Sequence, residues 1–186
     1  MKKKGLRESA ALPRDLAASL GRMIASHSLL EDILAKCLYR LSGVDFKTGR
    51  VVVGNPRSDQ LLERMLEVSD VSGMRHWLSA FPWKSFGKTL VELKNMRDTF
   101  AHSVWLVDSK TKKYVLVVTK GKWAAPRGHA AMSKRIYPEP RVVTASDLRA
   151  LRLEIEKAIE EARTLDRTIQ IALQVHGYAS KQKSVK

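Results

Sequence analysis

The chain lacks the features of membrane-spanning and disulfide-stabilised secreted proteins. No run of apolar residues approaches the roughly 18 that a transmembrane helix needs. Met1-Lys2-Lys3-Lys4 could begin a secretory signal, but Gly5-Leu6-Arg7-Glu8-Ser9 follows it instead of an apolar stretch. The single cysteine, Cys37, cannot form an internal disulfide, and its place on an apolar helical seam favours a buried thiol. We therefore predict a protein of the reducing cytoplasm that has no membrane partner.

Several sequence motifs of common catalytic sites are also missing. The chain contains no Gly-x-x-x-x-Gly-Lys-Ser/Thr loop, no Gly-x-Gly-x-x-Gly after a strand and no Gly-x-Ser-x-Gly elbow. The five histidines and the cysteine do not occur at the spacing of zinc ligands. We therefore predict neither a metal site nor a cofactor.

Negative charge is scarce in three parts of the chain, which carry almost all of the net charge of +15. Residues 1–7 hold four Lys or Arg and no acid, and residues 181–186 hold three lysines and no acid. Residues 103–143 hold nine Lys or Arg against two acids, and they interleave Tyr114, Trp123 and Tyr137 among these cations. This mixture suits phosphate contact combined with base stacking, although the aromatics could equally pack the segment onto the helices. Lysine tails could also simply aid solubility.

Apolar periodicity predicts three helices before residue 103. The first begins near Pro13 and ends at Ser42-Gly43. Its seam repeats at spacings of three and four: Leu16, Leu20, Met23, His27, Leu30, Leu34, Cys37 and Leu41. Ser58 is predicted to cap a second helix, and a third runs from about Ser85 to Ala101. The apolar face of the third helix comprises Phe86, Leu90, Leu93, Met96 and Phe100.

The pattern then changes to β and returns to helix. Val104–Val107 and Tyr114–Val118 predict a hairpin, and residues 120–141 predict a loop, after which residues 141–143 could add a third strand. Thr144 and Asp147 fit a capping box before a long last helix. Its seam is Leu148, Leu151, Ile155, Ala158, Ala162, Leu165, Ile169 and Leu173.

These elements predict a mainly α fold, a four- to five-helix bundle with a small β-hairpin and basic loop inserted before the last helix. The predicted domain covers residues 13–177 and includes the insert at 103–143. Residues 1–12 and 178–186 are predicted to be basic flexible tails.

Arg97 and His102, at the end of the third helix, are the residues best suited to phosphate chemistry. Arginine holds phosphate oxygens with a planar permanent charge, and histidine exchanges protons near neutral pH. The alternative is a surface ion pair of Arg97 with Asp98 or Glu92, and a histidine that interacts with the helix C-terminus. Five residues rotate about 140° around a straight helix, so the two side chains converge only if the helix ends between them or a second subunit completes the site.

His27 and Glu31 form a second pair, one turn apart on the first helix. One interpretation is a core histidine paired with a glutamate, and the other is a site at a helix–helix junction.

The stretch Leu93-Lys94-Asn95-Met96-Arg97-Asp98-Thr99-Phe100-Ala101-His102 resembles the signature of the HEPN superfamily. That signature is Arg, then four to six residues, then His, and the residue directly after the Arg is usually polar. The segment Ser28-Leu29-Leu30-Glu31 in the first helix and Trp105 soon after the histidine are similar to the wider family plan. Asn is frequent in the family where this chain has Asp98, and the basic hairpin is not part of the family's core fold.

The resemblance implies a homodimer in which two Arg/His pairs face each other, and RNA cleavage without a metal. The 2′-hydroxyl of the substrate would attack the phosphate, with His102 as general acid and base and Arg97 stabilising the developing charge. Asp98 would orient or polarise the pair, and Glu31 would be a supporting acid. The family's usual setting is a toxin or defence system, which implies an antitoxin or regulatory protein as a partner.

The cations predicted to bind the nucleic acid all lie in the insert: Lys110, Lys112, Lys113, Lys120, Lys122, Arg127, Lys134 and Arg135. Two other functions remain open. The protein could be a nucleic-acid-binding module without catalysis, or a helical scaffold in which the seams of the first and last helices form a dimer interface.

Overall fold

The computed structural model describes residues 6–8, 11–54, 56–108, 110–117, 122–123, 135–136 and 141–183, with side chains described at 11–54, 56–108, 110–117 and 142–175. The described part contains five helices: α1 (Arg14–Leu41), α2 (Phe46–Val53), α3 (Ser58–Val71), α4 (Trp83–His102) and α5 (Ala145–Lys183). Its strands are β1 (Leu6–Glu8), β2 (Val104–Asp108), β3 (Tyr114–Val117), β4 (Lys122–Trp123), β5 (Arg135–Ile136) and β6 (Arg141–Val142). The prediction of a mainly helical fold with a β-hairpin before the last helix is confirmed.

The ends of α1 follow from local sequence. The helix begins directly after Pro13, whose fixed φ suits a first turn and whose missing N–H costs nothing there. It ends two residues before Gly43, which adopts the positive φ of 68° that glycine accepts most readily. The predicted seam of α1 is buried except for the half-buried Leu20. A single chain therefore already covers this seam, which removes it as a ready dimer interface.

The chain divides into two compact units. The first unit comprises Met1–Ile24 and Asn95–Leu151 and contains a four-stranded antiparallel sheet in the order β1-β2-β3-β6. The predicted hairpin is confirmed as β2 and β3, with Val107 opposite Tyr114. The predicted third strand is confirmed as β6, in which Val142 pairs with Val115 of β3.

The start of α5 is fixed by the predicted capping box. The carboxylate of Asp147 accepts hydrogen bonds from the backbone N and the hydroxyl of Thr144, both at 2.8 Å. The backbone N of Asp147 donates in return to the Thr144 hydroxyl at 3.3 Å. These bonds satisfy donors that the helix itself leaves unpaired.

The second unit comprises Ala25–Lys94 and Arg152–Lys186. Cys37 lies in its core, where the thiol is 3.7 Å from Oδ1 of Asp166 on α5. Nη1 of Arg40 lies 3.3 Å from Oδ2 of the same carboxylate. Burial first, and the neighbouring Asp166 charge second, raise the pKa of the Cys37 thiol well above its ordinary value. The prediction of a buried structural thiol is therefore confirmed.

Two local features differ from the sequence predictions in the second unit. Helix α2 was not predicted. Its N-cap is Asp45, whose carboxylate accepts hydrogen bonds from the backbone N of Lys47 at 2.9 Å and of Thr48 at 3.1 Å. Ser58, predicted as a cap, is instead the first residue of α3, and Arg57 occupies the N-cap position. The side chain of Gln60 reaches back to the Arg57 backbone N at 3.2 Å, so the helix starts one residue earlier than a serine cap would allow.

The predicted tails and loop also contain regular structure. Within the predicted N-terminal tail, β1 pairs with β2, and α5 continues past the predicted end near residue 178 to Lys183. Backbone pairing explains β1. The Ala, Lys and Gln residues in the last turns of α5 are good helix formers and explain its extension without an apolar pattern. Of the predicted loop at 120–141, β4 and β5 form a two-stranded sheet, while most of the remaining loop residues lie outside the described part.

Candidate functional site

Helix α4 carries the Arg/His motif in its last turns. The helix begins directly after Pro82, and Phe86, Leu90, Leu93 and Phe100 of its predicted apolar face are buried. Met96 was wrongly assigned to that face: its side chain is 40% exposed. The apolar stripe is therefore interrupted where the polar motif begins, which leaves the surface around Met96 accessible.

Arg97 and Asp98 form a close ion pair. Nη1 of Arg97 lies 2.8 Å from Oδ1 of Asp98, and both side chains are partly exposed. The Nε atom of Arg97 is buried and makes no hydrogen bond with the residues that the structure describes. A guanidinium has five donors, so the pair leaves donors of Arg97 that a phosphate oxygen could accept from.

The helix does not end between Arg97 and His102. Because α4 remains helical through His102, the two residues leave the axis about 140° apart, and the convergence by a helix end that the sequence allowed does not occur. Asp98 lies between them, about 100° from Arg97 and about 40° from His102. The ion pair of 2.8 Å therefore links the Arg97 guanidinium to Asp98, the residue that lies closer in angle to the exposed His102.

Glu31 belongs to the second unit and pairs with His27. Oε2 of Glu31 lies 3.7 Å from Nδ1 of His27, which is too long for a hydrogen bond but within the range of an ion pair when the imidazole is charged. His27 is 1% exposed, and neither of its ring nitrogens has a hydrogen-bond partner among the described residues. His27 is therefore a core residue, as one interpretation expected, but Glu31 does not satisfy it with a hydrogen bond. A supporting catalytic role for Glu31 stays a prediction.

The turn between β2 and β3 presents the first three predicted nucleic-acid-binding lysines, and all three are exposed: Lys110, Lys112 and Lys113. The carboxylate of Asp108 stabilises the turn by accepting hydrogen bonds from the backbone N of Lys110 at 2.8 Å and of Thr111 at 3.2 Å. These backbone hydrogen bonds lower the pKa of Asp108. Lys112 has a positive φ of 56°, unusual for a residue with a side chain.

The other predicted nucleic-acid-binding cations are located less completely. Lys122 lies on β4, where it pairs with Ile136, and Arg135 lies on β5, where it pairs with Trp123. Lys120, Arg127 and Lys134 lie outside the described residues.

A cavity of about 330 Å³ lies in the first unit, beside the hairpin. It is bounded by Pro13 and Asp15 at the start of α1, by Lys113 and Tyr114, and by the link between β6 and α5. The sequence singled out Tyr114 as a stacking candidate but missed Asp15. The signal that could have found Asp15 is its position at the first turn of α1. Only the folded structure shows that this turn lines a cavity together with the hairpin residues Lys113 and Tyr114.

Neither a metal-binding cluster nor a membrane-crossing helix occurs among the described residues. No three His, Cys, Asp or Glu side chains of the described part are grouped so that they could share a metal ion. None of the helices in that part is both long and apolar enough to cross a bilayer.

Comparison with known proteins gives no family assignment. No protein-family model matches the chain, and neither a curated protein nor a solved structure is significantly similar to it.

Proposed function

We propose that the protein is a metal-independent endoribonuclease of the HEPN type that acts in the cytoplasm as a homodimer, in a toxin or defence setting with an antitoxin or regulatory partner. The observation that carries the proposal is the Nε atom of Arg97, which is buried without a hydrogen-bond partner among the described residues, in the last turns of α4 that also carry the exposed His102. These turns combine a phosphate ligand with a proton carrier on adjoining faces of one helix.

The proposed reaction is an internal transfer at phosphorus. His102 removes the proton of the 2′-hydroxyl, and the 2′-oxygen forms a bond to the adjacent phosphorus. The bond from phosphorus to the 5′-oxygen breaks, and that oxygen receives a proton from imidazolium. The products are a 2′,3′-cyclic phosphate and a 5′-hydroxyl, and no oxidant or metal is consumed. Arg97 stabilises the charge that develops on the phosphate oxygens.

Asp98 acts as a positioning residue in this proposal. Its carboxylate holds the Arg97 guanidinium on the side of the helix nearer to His102.

The geometry of α4 supports the proposed homodimer. With Arg97 and His102 about 140° apart on one helix, a full site is more readily formed by Arg97 of one protomer and His102 of the other. This arrangement would supply one Arg97 and one His102 to each of two sites in the dimer.

Cleavage of end-labelled RNA in EDTA tests the proposed chemistry. We expect Arg97→Ala and His102→Ala each to reduce the rate by at least about 100-fold, the effect typical of losing a general acid–base group or an electrostatic stabiliser. Arg75→Ala and His76→Ala are matched controls, since Arg75 forms a comparable ion pair with Asp70 at 3.2 Å and His76 is exposed. Products without a cyclic phosphate, or equal loss in the controls, would contradict the mechanism.

Mixing the two inactive variants tests the shared site. If Arg97 and His102 come from different protomers, a heterodimer of Arg97→Ala and His102→Ala contains one intact site and regains about half of the activity per dimer. If each protomer holds its own complete site, the mixture remains inactive. Analytical ultracentrifugation of the same samples establishes that the dimers have formed.

A second candidate function is nucleic-acid binding without catalysis. The exposure of Lys110, Lys112 and Lys113 on one turn favours it, because clustered cations neutralise phosphates and release counterions. It predicts affinity that falls steeply with salt, no cleavage of any RNA, and no change in affinity for His102→Ala.

A further inference from the structure

We infer that the cavity beside the hairpin binds one unpaired guanine of an RNA strand, an inference that rests on the proposed function. The cavity volume of about 330 Å³ is at the small end of the range for ligand sites. Val142 and Val143 contribute apolar walls, and Asp15 and Lys113 contribute a carboxylate and an ammonium group. A mainly apolar lining with a few polar groups is typical of sites that enclose a flat organic ring.

The charge of the cavity mouth suits a nucleotide. Lys113 lines the cavity and also belongs to the exposed basic turn with Lys110 and Lys112. A strand whose phosphates follow these lysines would therefore have a base next to the opening. Tyr114, also in the lining, offers an aromatic surface of the kind on which bases stack.

Asp15 gives the preference for guanine. Its side chain is exposed and lines the cavity, and an ionised carboxylate only accepts hydrogen bonds. Guanine presents two adjacent N–H donors, N1–H and N2–H, that a carboxylate can accept together. Adenine and uracil offer no such adjacent pair, and cytosine offers only its amino group.

The walls of the cavity are already fixed by hydrogen bonds. The backbone N of Val143 donates to the carbonyl of Tyr114 at 3.1 Å, which joins the two sides of the lining. Thr144, also in the lining, is held by Asp147 through two bonds of 2.8 Å. A base would therefore enter a formed site without first ordering it, which preserves affinity.

The position of the cavity relates it to the proposed cleavage site. Tyr114 pairs with Val107, three residues along β2 from Val104, which follows His102 by two residues. Three strand residues span about 10 Å, so the base site lies a few nucleotides from a phosphate held at the end of α4. Cleavage is then expected at a fixed short distance from a guanine.

Binding measurements on the His102→Ala protein test the inference without cleavage. Fluorescein-labelled seven-nucleotide RNAs would be compared by anisotropy: all uridine, one central guanosine, and one central inosine. We expect the guanosine RNA to bind about tenfold more tightly than the all-uridine RNA, since a good bidentate contact discriminates by a factor of this order. Inosine lacks the 2-amino group and should lose most of the gain.

Asp15→Asn is the decisive variant, and Asp32→Asn is its matched control. Both changes remove one negative charge from α1, but Asp32 is paired with Lys36 and does not line the cavity. We expect Asp15→Asn to abolish the guanosine preference while all-uridine affinity changes by less than about twofold. Asp32→Asn should keep the preference.

The outcomes separate this inference from the proposed function. Equal affinity for all three RNAs, or a guanosine preference that survives in Asp15→Asn, would overturn the guanine site. Active protein that cleaves RNA without base preference would contradict the inference alone. A protein that never cleaves RNA but shows the Asp15-dependent preference would contradict the endoribonuclease alone.

Discussion

Gly49→Ala should destabilise the protein, because the glycine lies against an aromatic ring. A Cβ at position 49 would be 2.5 Å from both Cδ1 and Cγ of Tyr39 and 2.8 Å from Cδ2. Carbon atoms at optimal contact are about 3.5 to 4.0 Å apart, so the ring or α2 must move by about 1 Å. Tyr39 is 3% exposed and also packs edge-on against Phe46, with ring centroids 5.8 Å apart, so the ring has little freedom to move.

The expected size of the effect is a balance of two terms. Overpacking of a buried site costs about 1 to 3 kcal/mol, while replacing a helical glycine by alanine gains about 1 kcal/mol. The net result for Gly49→Ala is a loss of up to about 2 kcal/mol. Gly21→Ala is the matched control in α1, where no atom lies within 4 Å of the added Cβ, and it should gain about 1 kcal/mol.

Urea unfolding followed by circular dichroism measures both free energies of unfolding. In a Tyr39→Ala background the ring is absent, and Gly49→Ala should then stabilise as Gly21→Ala does. This double-mutant cycle isolates the contact between positions 39 and 49. If Gly49→Ala stabilises the wild-type background as much as Gly21→Ala, the close packing of α2 on Tyr39 is refuted.

Three further predictions concern the hairpin, the α2 cap and the buried thiol. Lys112→Gly should raise the free energy of unfolding by up to about 1 kcal/mol, because it removes a side chain from a positive φ of 56°, and a loss of stability would contradict the turn geometry. The same change should lower the salt dependence of RNA binding by about one counterion. Hydrogen bonds from the Thr48 hydroxyl and amide lower the pKa of Asp45, so this carboxylate stabilises the fold above its unfolded-state pKa and ceases to do so as pH falls through its folded-state pKa. The loss of thermal stability in Asp45→Ala should therefore shrink in acid, and a loss that is constant with pH would refute this. Cys37 should resist iodoacetamide at pH 8 in the native protein and react in urea, as burial raises its pKa; rapid native labelling, measured by mass spectrometry, would contradict its burial.

The long elements could be predicted from the sequence because their apolar residues repeat over many turns. The boundaries of α1 and α4 lie within about two residues of the predictions, and the Thr144–Asp147 box marks the start of α5. Helix α2 could not be predicted in the same way. It has eight residues, and its position depends on the fit of Gly49 against Tyr39, which leaves no periodic pattern.

The candidate site was predictable in composition but not in geometry. The spacing of Arg97 and His102 was visible in the sequence, and their ion-pair alternative with Asp98 is confirmed at 2.8 Å. Whether the helix ended before His102 depended on the hydrogen bonds of the last turn, which no residue type there dictates. The lining of the cavity depended on strand pairing between distant segments, so Asp15 carried no local signal.

Strand β1 has a consequence for how the chain folds. Its pairing joins Leu6 to Asp108, residues between which all of the helices α1 to α4 lie in the sequence. Contacts between such distant residues incur a large loop-closure entropy and tend to form after local ones. The β2–β3 hairpin, whose strands are joined by a short turn, is expected to form first and to act as the template on which the N-terminus docks. Ribosomal synthesis would release β1 long before its partner strand, so the sheet can be completed only once the hairpin has emerged.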